Sequence, residues 1–311
     1  MRPNAIITLL VIASLYPLVG CGAQRRGRQE PDPARQSFRH GGRERTYVAR
    51  VPPAVARTSG SVPLVIVLHG GGGNARNAET MTGFTAKAEA EGFIVVYPDG
   101  TSRGRPLLTW NAGHCCGPAM EDRVDDVGFI SALIDTVAST HRIDRKRVYV
   151  TGMSNGAMMA HRIGIELSDR IAAIAPVVGA VFGDEKPPRS SVSAIMINGM
   201  LDESVPYRGG LSAGRGREAW DGTPPKPALE QARFWAGANG CDTTLHSQDR
   251  GTYVIGRHAC SSSVAVEIYS VKDNGHAWPG GRSGSQLGDT PSTALNATDV
   301  IWSFFRSHPK P

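Results

Sequence analysis

Apolar residues in this chain fall into short unbroken runs, and the segments between them have helical spacing. Residues 64–68, 93–97, 147–150 after its leading Arg147, 171–178 and 194–197 are the runs. Runs of that length without polar alternation predict strands covered on both faces. Residues 46–51 also read as a strand, closed by Pro52 and Pro53, and 264–271 alternates weakly as the last one. Helical content lies over 80–91, ended by Gly92. It recurs over 127–141, where Phe129, Ile130, Leu133, Ile134 and Val137 share a stripe. A further helix can start at Ala157, another at Pro227, and Val300, Ile301, Phe304 and Phe305 mark a last one over 297–307. Strand and helix alternate, which predicts an α/β fold with a parallel sheet and right-handed crossovers.

The chemistry gathers where these strands end. The run 147–150 leads into Gly152-Met153-Ser154-Asn155-Gly156 and then a helix. Strand, sharp turn and helix are the setting a nucleophile elbow needs, so Ser154 is the candidate nucleophile. A serine on such a turn lies against the neighbouring strand and helix, and Gly152 and Gly156 remove side chains that would clash there. The backbone N–H of Asn155 then stands where an oxyanion hole uses it. The strand 64–68 ends in His69-Gly70-Gly71-Gly72-Gly73-Asn74, a loop whose backbone can approach a ligand closely, and Gly71 is the expected second donor. A phosphate-binding loop is disfavoured, because no Lys-Ser/Thr pair follows. The strand 194–197 delivers Asp202, and 264–271 delivers His276. Serine, acid and base thus occur in the order Ser154, Asp202, His276, each at the carboxyl end of a strand. Asp273 and Asp289 compete with Asp202, which is preferred as the carboxylate on the loop after the strand 194–197. Asp125 and Asp126 precede a helix and read as cap and loop anchor in preference to a metal pair.

Composition narrows the class. Half of the net charge of +6 sits on Arg2 and residues 22–35; setting them aside leaves 29 basic against 26 acidic side chains, a net +3. No nucleic-acid surface is implied, and the residues require no metal or other cofactor. Residues 1–20 have a basic start and an apolar core, as a signal peptide does, and Leu18-Val19-Gly20-Cys21 resembles the bacterial lipobox. Cys21 is then lipidated, 21–40 forms a lipidated tether to a membrane surface, and 41–311 is one catalytic domain. Four cysteines remain, with three possible pairings. Cys241 and Cys260 bracket a polar stretch, and joining them closes a loop of about 20 residues worth roughly 3 kcal/mol. Cys115 and Cys116 are adjacent and either bridge or stay reduced.

Six ordered motifs carry a resemblance: His69-Gly70-Gly71-Gly72, Trp110-Asn111-Ala112-Gly113-x-Cys115-Cys116-Gly117, Val124-Asp125-Asp126-Val127-Gly128-Phe129, Gly152-Met153-Ser154-Asn155-Gly156, Asp202-x-x-Val205-Pro206-Tyr207 and Gly275-His276-x-Trp278-Pro279-Gly280. Together they resemble the polyhydroxybutyrate depolymerase and feruloyl esterase group, carbohydrate esterase family 1, over residues 45–307. The resemblance implies an α/β-hydrolase fold with a mostly parallel central sheet, helices on both faces and no large separate cap domain. It implies a Ser154, Asp202, His276 triad, an oxyanion hole from Gly71 and Asn155, and a small-molecule or polymer ester as substrate. Trp110 and Trp278, in motifs that flank the site, are candidate substrate-binding residues. The region 207–227 is either a small mobile cover or a plain surface loop. An acyltransferase would use the same residues as a hydrolase, and a non-catalytic binding protein could keep the fold. The motifs do not choose among acetyl, feruloyl and 3-hydroxybutyryl esters, and oligomeric state is left open.

Overall fold

A computed structural model describes residues 32–102, 107–213, 219–261, 263–285 and 288–311. The leader and Cys21 lie outside the described residues. Ten strands form one sheet: β1 (Arg35–His40), β2 (Arg43–Arg50), β3 (Val62–Leu68), β4 (Ile94–Pro98), β5 (Ile143–Met153), β6 (Ala173–Val177), β7 (Ser193–Gly199), β8 (Leu245–Asp249), β9 (Tyr253–His258) and β10 (Val266–Val271). Their order across the sheet is β1-β2-β4-β3-β5-β6-β7-β10-β9-β8. From β4 to β10 every neighbouring pair is parallel, and an antiparallel pair extends each edge.

The eight helices of the described residues are α1 (Pro53–Ala56), α2 (Ala75–Thr82), α3 (Phe84–Glu91), α4 (Gly117–Glu121), α5 (Asp126–Thr140), α6 (Asn155–Glu166), α7 (Ala228–Ala238) and α8 (Ala297–Ser307). The two-residue period of a strand explains how they are shared out. On β3, Leu64, Ile66 and Leu68 point into a core with α5, α6 and α7. Val65 and Val67 point the other way, into a core with α2, α3 and α8. Both faces are therefore covered, and the central strands are apolar throughout. The sheet and its two helical layers are the α/β-hydrolase arrangement expected above, and the residues from Asp32 to Pro311 form one compact unit.

Three expectations are corrected. The helical stretch 80–91 is two helices, because Gly83 at φ 68° ends α2 and turns the chain into α3. Residues 35–40, expected to belong to a tether, instead form β1, which pairs antiparallel with β2. Its sequence, Arg-Gln-Ser-Phe-Arg-His, is an exposed edge with no apolar run, and Phe38 alone packs on the core. The polar stretch between Cys241 and Cys260 holds a hairpin, β8 with β9, added to the sheet edge beside β10. A disulfide joins Cys241 to Cys260 across that segment, and Cys115 is bonded to Cys116.

Candidate active site

Ser154 stands between β5 and α6 at φ 57° and ψ −122°, a conformation that costs a non-glycine residue of order 1 kcal/mol and is kept only where its surroundings hold it. The surroundings are tight. A Cβ on Gly152 would lie 2.6 Å from the Gly156 carbonyl oxygen, and one on Gly156 would collide with the carbonyl oxygens of Leu68 and His69. Ser154 N–H donates to the Val177 carbonyl at 3.0 Å, which ties the turn to β6.

Asp202 lies three residues beyond β7, and His276 five beyond β10. These strands are parallel neighbours, so their loops emerge side by side. Gly199 lets them touch, since a Cβ there would collide with the carbonyls of Asn274 and Gly275. Leu201 N–H donates to the Asn274 carbonyl at 3.0 Å. Buried Asn274 holds the histidine loop from within: its amide donates to the carbonyls of Gly275 and Ala277 and accepts from Ser292 N–H. Its role was missed from sequence, where an asparagine before a glycine reads only as a turn.

The structure brings the three expected side chains together. His276 Nε2 is 2.8 Å from Ser154 Oγ, and His276 Nδ1 is 2.8 Å from Asp202 Oδ2. Asp202 is buried, and its Oδ1 accepts from the N–H groups of Ser204 at 2.9 Å and Val205 at 2.8 Å. The competing carboxylates are engaged elsewhere. Asp289 accepts from the backbone N–H of His276 at 2.6 Å, and Asp273 accepts from Ser292 Oγ. Facing Ser154 are Gly71 and Asn155, whose Cβ positions would lie 3.7 Å apart. Among the described residues, neither backbone N–H donates to a protein acceptor. Two free donors beside a hydrogen-bonded serine suit a developing negative oxygen.

Ser154 and His276 border two clefts. The larger, about 940 Å³, is lined by Leu107, Cys115, Leu201, Val205 and Trp220 with the carboxylates of Glu203 and Asp289. The smaller, about 300 Å³, is lined by the glycine loop, Asn74, Asn77, Met81 and Ser285. Trp110 and Trp278, expected to bind substrate, line neither. Both are buried: the Trp110 indole N–H donates to the His69 carbonyl at 3.0 Å, and that of Trp278 to Thr298 Oγ1 at 3.1 Å. The aromatic residue at the cleft is Trp220, edge-on to Phe182, with its backbone running antiparallel beside Cys115. It lies in the stretch 207–227, which the sequence left open between a cover and a plain surface loop, within a Gly- and Pro-rich context that hides a single wall residue.

Asp125 caps α5 by accepting from Gly128 N–H at 2.9 Å. Asp126 is buried, pairs with buried Arg45 at 2.7 Å and accepts from Asn111 N–H at 2.8 Å. Burial pushes the Asp126 carboxyl above its usual range despite that arginine.

The doubly covered sheet, the serine elbow and the loops gathered at its strand ends define an ester hydrolase of the α/β class. The chain belongs to the esterase PHB depolymerase family, whose model matches residues 45–208. An esterase-like protein, NocK, of Nocardia uniformis subsp. tsuyamanensis is 31% identical over 253 residues, 77% of this chain and 72% of its own. Feruloyl esterase B of Piromyces equi is 30% identical over 231 residues, 72% of this chain and 41% of its own, so the chain spans less than half of that protein. An acetyl xylan esterase from Aspergillus awamori has the same fold, with a TM-score of 0.59 over 88% of this chain and 99% of its own at 14% identity.

Proposed function

We propose that this chain is an exported serine esterase that hydrolyses feruloyl or acetyl esters of polysaccharides, or short 3-hydroxybutyrate-type polyesters. The observation that carries the reading is the unbroken series from Ser154 Oγ through both His276 nitrogens to Asp202 Oδ2, next to the free N–H groups of Gly71 and Asn155. Ser154 Oγ attacks the ester carbonyl while its proton passes to His276 Nε2. Asp202 holds the Nδ1–H tautomer and steadies the imidazolium. The oxyanion rests on the two N–H groups until the C–O bond breaks and His276 protonates the departing alcohol. Water, deprotonated by the same nitrogen, then attacks the acyl-enzyme and releases the acid. Glu203 and Asp289 at the larger cleft favour departure of that carboxylate.

Names among the relatives support the substrate range: a feruloyl esterase, an acetylxylan esterase/xylanase and a poly(3-hydroxyalkanoate) depolymerase. The sequence 18–21 supports export with a lipid on Cys21 and attachment to a membrane surface. The Cys241–Cys260 disulfide suits an oxidising compartment. A panel of acetyl, butyryl, 3-hydroxybutyryl and feruloyl esters, run with wild type and Ser154→Ala, tests the reading. Ser154→Ala is expected to lose several powers of ten on every ester that the wild type cleaves. Turnover near wild type in that variant overturns the nucleophile. Intact mass tests the anchor, which requires a mature chain starting at residue 21 with acyl mass attached.

A further inference from the structure

We infer that Trp110 is a positioning residue that sets both N–H donors of the oxyanion hole at once. The inference rests on the acyl-enzyme reading above. Its first half concerns Asn155, the first residue of α6. A helix start usually has a side-chain cap at the preceding residue, but here that residue is Ser154, which makes no cap bond because its hydroxyl faces His276. The start of α6 is held from outside instead. Asn155 Oδ1 accepts from Trp110 N–H at 2.7 Å, and Asn155 Nδ2 donates to the Trp110 carbonyl at 3.0 Å. This two-point clasp between a carboxamide and the backbone N–H and carbonyl of one residue fixes the residue whose own backbone N–H faces the cleft.

The second half concerns Gly71. Two residues earlier, the His69 carbonyl accepts the Trp110 indole N–H at 3.0 Å, and the two rings lie 4.9 Å apart. His69 in turn steers the glycine loop, because its Nδ1–H donates to the Gly70 carbonyl at 2.7 Å and its Nε2 accepts from Gly100 N–H at 2.9 Å. Gly72 N–H is held by the Leu108 carbonyl at 2.8 Å, two residues before Trp110. Trp110 is therefore bonded to one donor's own side chain and to the segment that leads into the other.

Its own position is firm. The indole is fully buried, and the next residue, Asn111, donates from its backbone to Asp126, the partner of buried Arg45. Oxyanion donors act through alignment, and displacement of a reacting geometry by about 1 Å can cost a hundredfold. A residue that touches no substrate can thus govern turnover.

Two variants test this without removing either donor. Asn155→Ala deletes the carboxamide but keeps the backbone N–H, and Trp110→Phe deletes the indole N–H but keeps the buried ring. With 4-nitrophenyl butyrate, each is expected to lower kcat roughly tenfold or more with KM changed less than about twofold. Phenylboronic acid, whose tetrahedral adduct on Ser154 places an oxygen in the hole, is expected to lose affinity by a matching factor. Trp302→Phe serves as control. That indole is buried on the other face of the sheet, its N–H has no partner among the described residues, and the change leaves kcat and boronic acid affinity as in wild type. The inference is overturned if folded Asn155→Ala and Trp110→Phe keep wild-type kcat and boronic acid affinity, or if KM rises as much as kcat falls. Should Trp110→Phe not fold, Asn155→Ala decides alone. Turnover in Ser154→Ala instead overturns the underlying function, a separate outcome.

Discussion

Two histidines stand on loops at the same, carboxyl end of this sheet, after strands separated by three others, and each has a partner at both ring nitrogens. His69, just after β3, is fully buried between the Gly70 carbonyl and the Gly100 N–H. His276, after β10, is half-buried between the Asp202 carboxylate and the Ser154 hydroxyl. Neutral backbone partners select one tautomer of His69 and give it no reason to charge, and burial holds its pKa down to about 4. A carboxylate on one side and a hydroxyl on the other give His276 somewhere to take a proton from and a charge to balance it. The chemistry belongs to the partners, since the side chain is the same.

Changing a partner breaks the contrast most sharply. Asp202→Asn leaves His276 its neighbour but removes the charge and the tautomer preference, so kcat is expected to fall by about ten-thousand-fold with the fold intact. Rates on an aryl butyrate beside far-ultraviolet circular dichroism check this. Loss of the folded spectrum together with the rate means that Asp202 holds the loops and not the imidazole.

Acid sharpens it from the other side. His69 and buried His161 both have pKa values held down to about 4 by burial, against an ordinary 6.5. Below pH 6.5 the unfolded chain takes up protons that these folded histidines refuse. Their contribution to stability is thus present above pH 6.5 and lost as the pH falls to 4, by up to about 3 kcal/mol each. Urea unfolding at pH 7 and pH 4.5 measures it. Equal midpoints at the two pH values contradict neutral, locked histidines.

The smallest effect separates ring from backbone. Asp289 also holds His276, but through its main-chain N–H. An asparagine oxygen can accept the same bond, so Asp289→Asn is expected to keep kcat within a few-fold of wild type. A loss as deep as that of Asp202→Asn would move the orienting role to Asp289.

What could be read from the sequence follows the same division between partner and residue. The parallel strands β3 to β7 announce themselves as apolar runs because both faces are covered, and the elbow does so because Gly152 and Gly156 have no room for a Cβ. Asp202 and His276 were legible by their place after a strand. The strands β1, β8 and β9 were not, since strands at and next to the sheet's edges gain their place by backbone pairing, and the outermost, β1 and β8, expose Arg35, His246 and Gln248. Trp110 and Trp278 were misread because a tryptophan in a glycine-rich motif looks the same whether its ring faces a cleft or a core. Burial depends on packing against His69 for Trp110 and Phe84 for Trp278, residues distant in the chain, and no local pattern encodes it.

The two clefts that meet at Ser154 bear on how an acyl-enzyme is emptied. An acyl group seated in the larger space leaves the smaller one to whatever takes that group away. A few water molecules fill about 300 Å³ lined by Asn74, Asn77 and Ser285, and a sugar hydroxyl can compete for the same polar walls. The ratio of acid to new ester then follows the solvent content of that space, so added glycerol or xylose becomes a gauge of how wet it is.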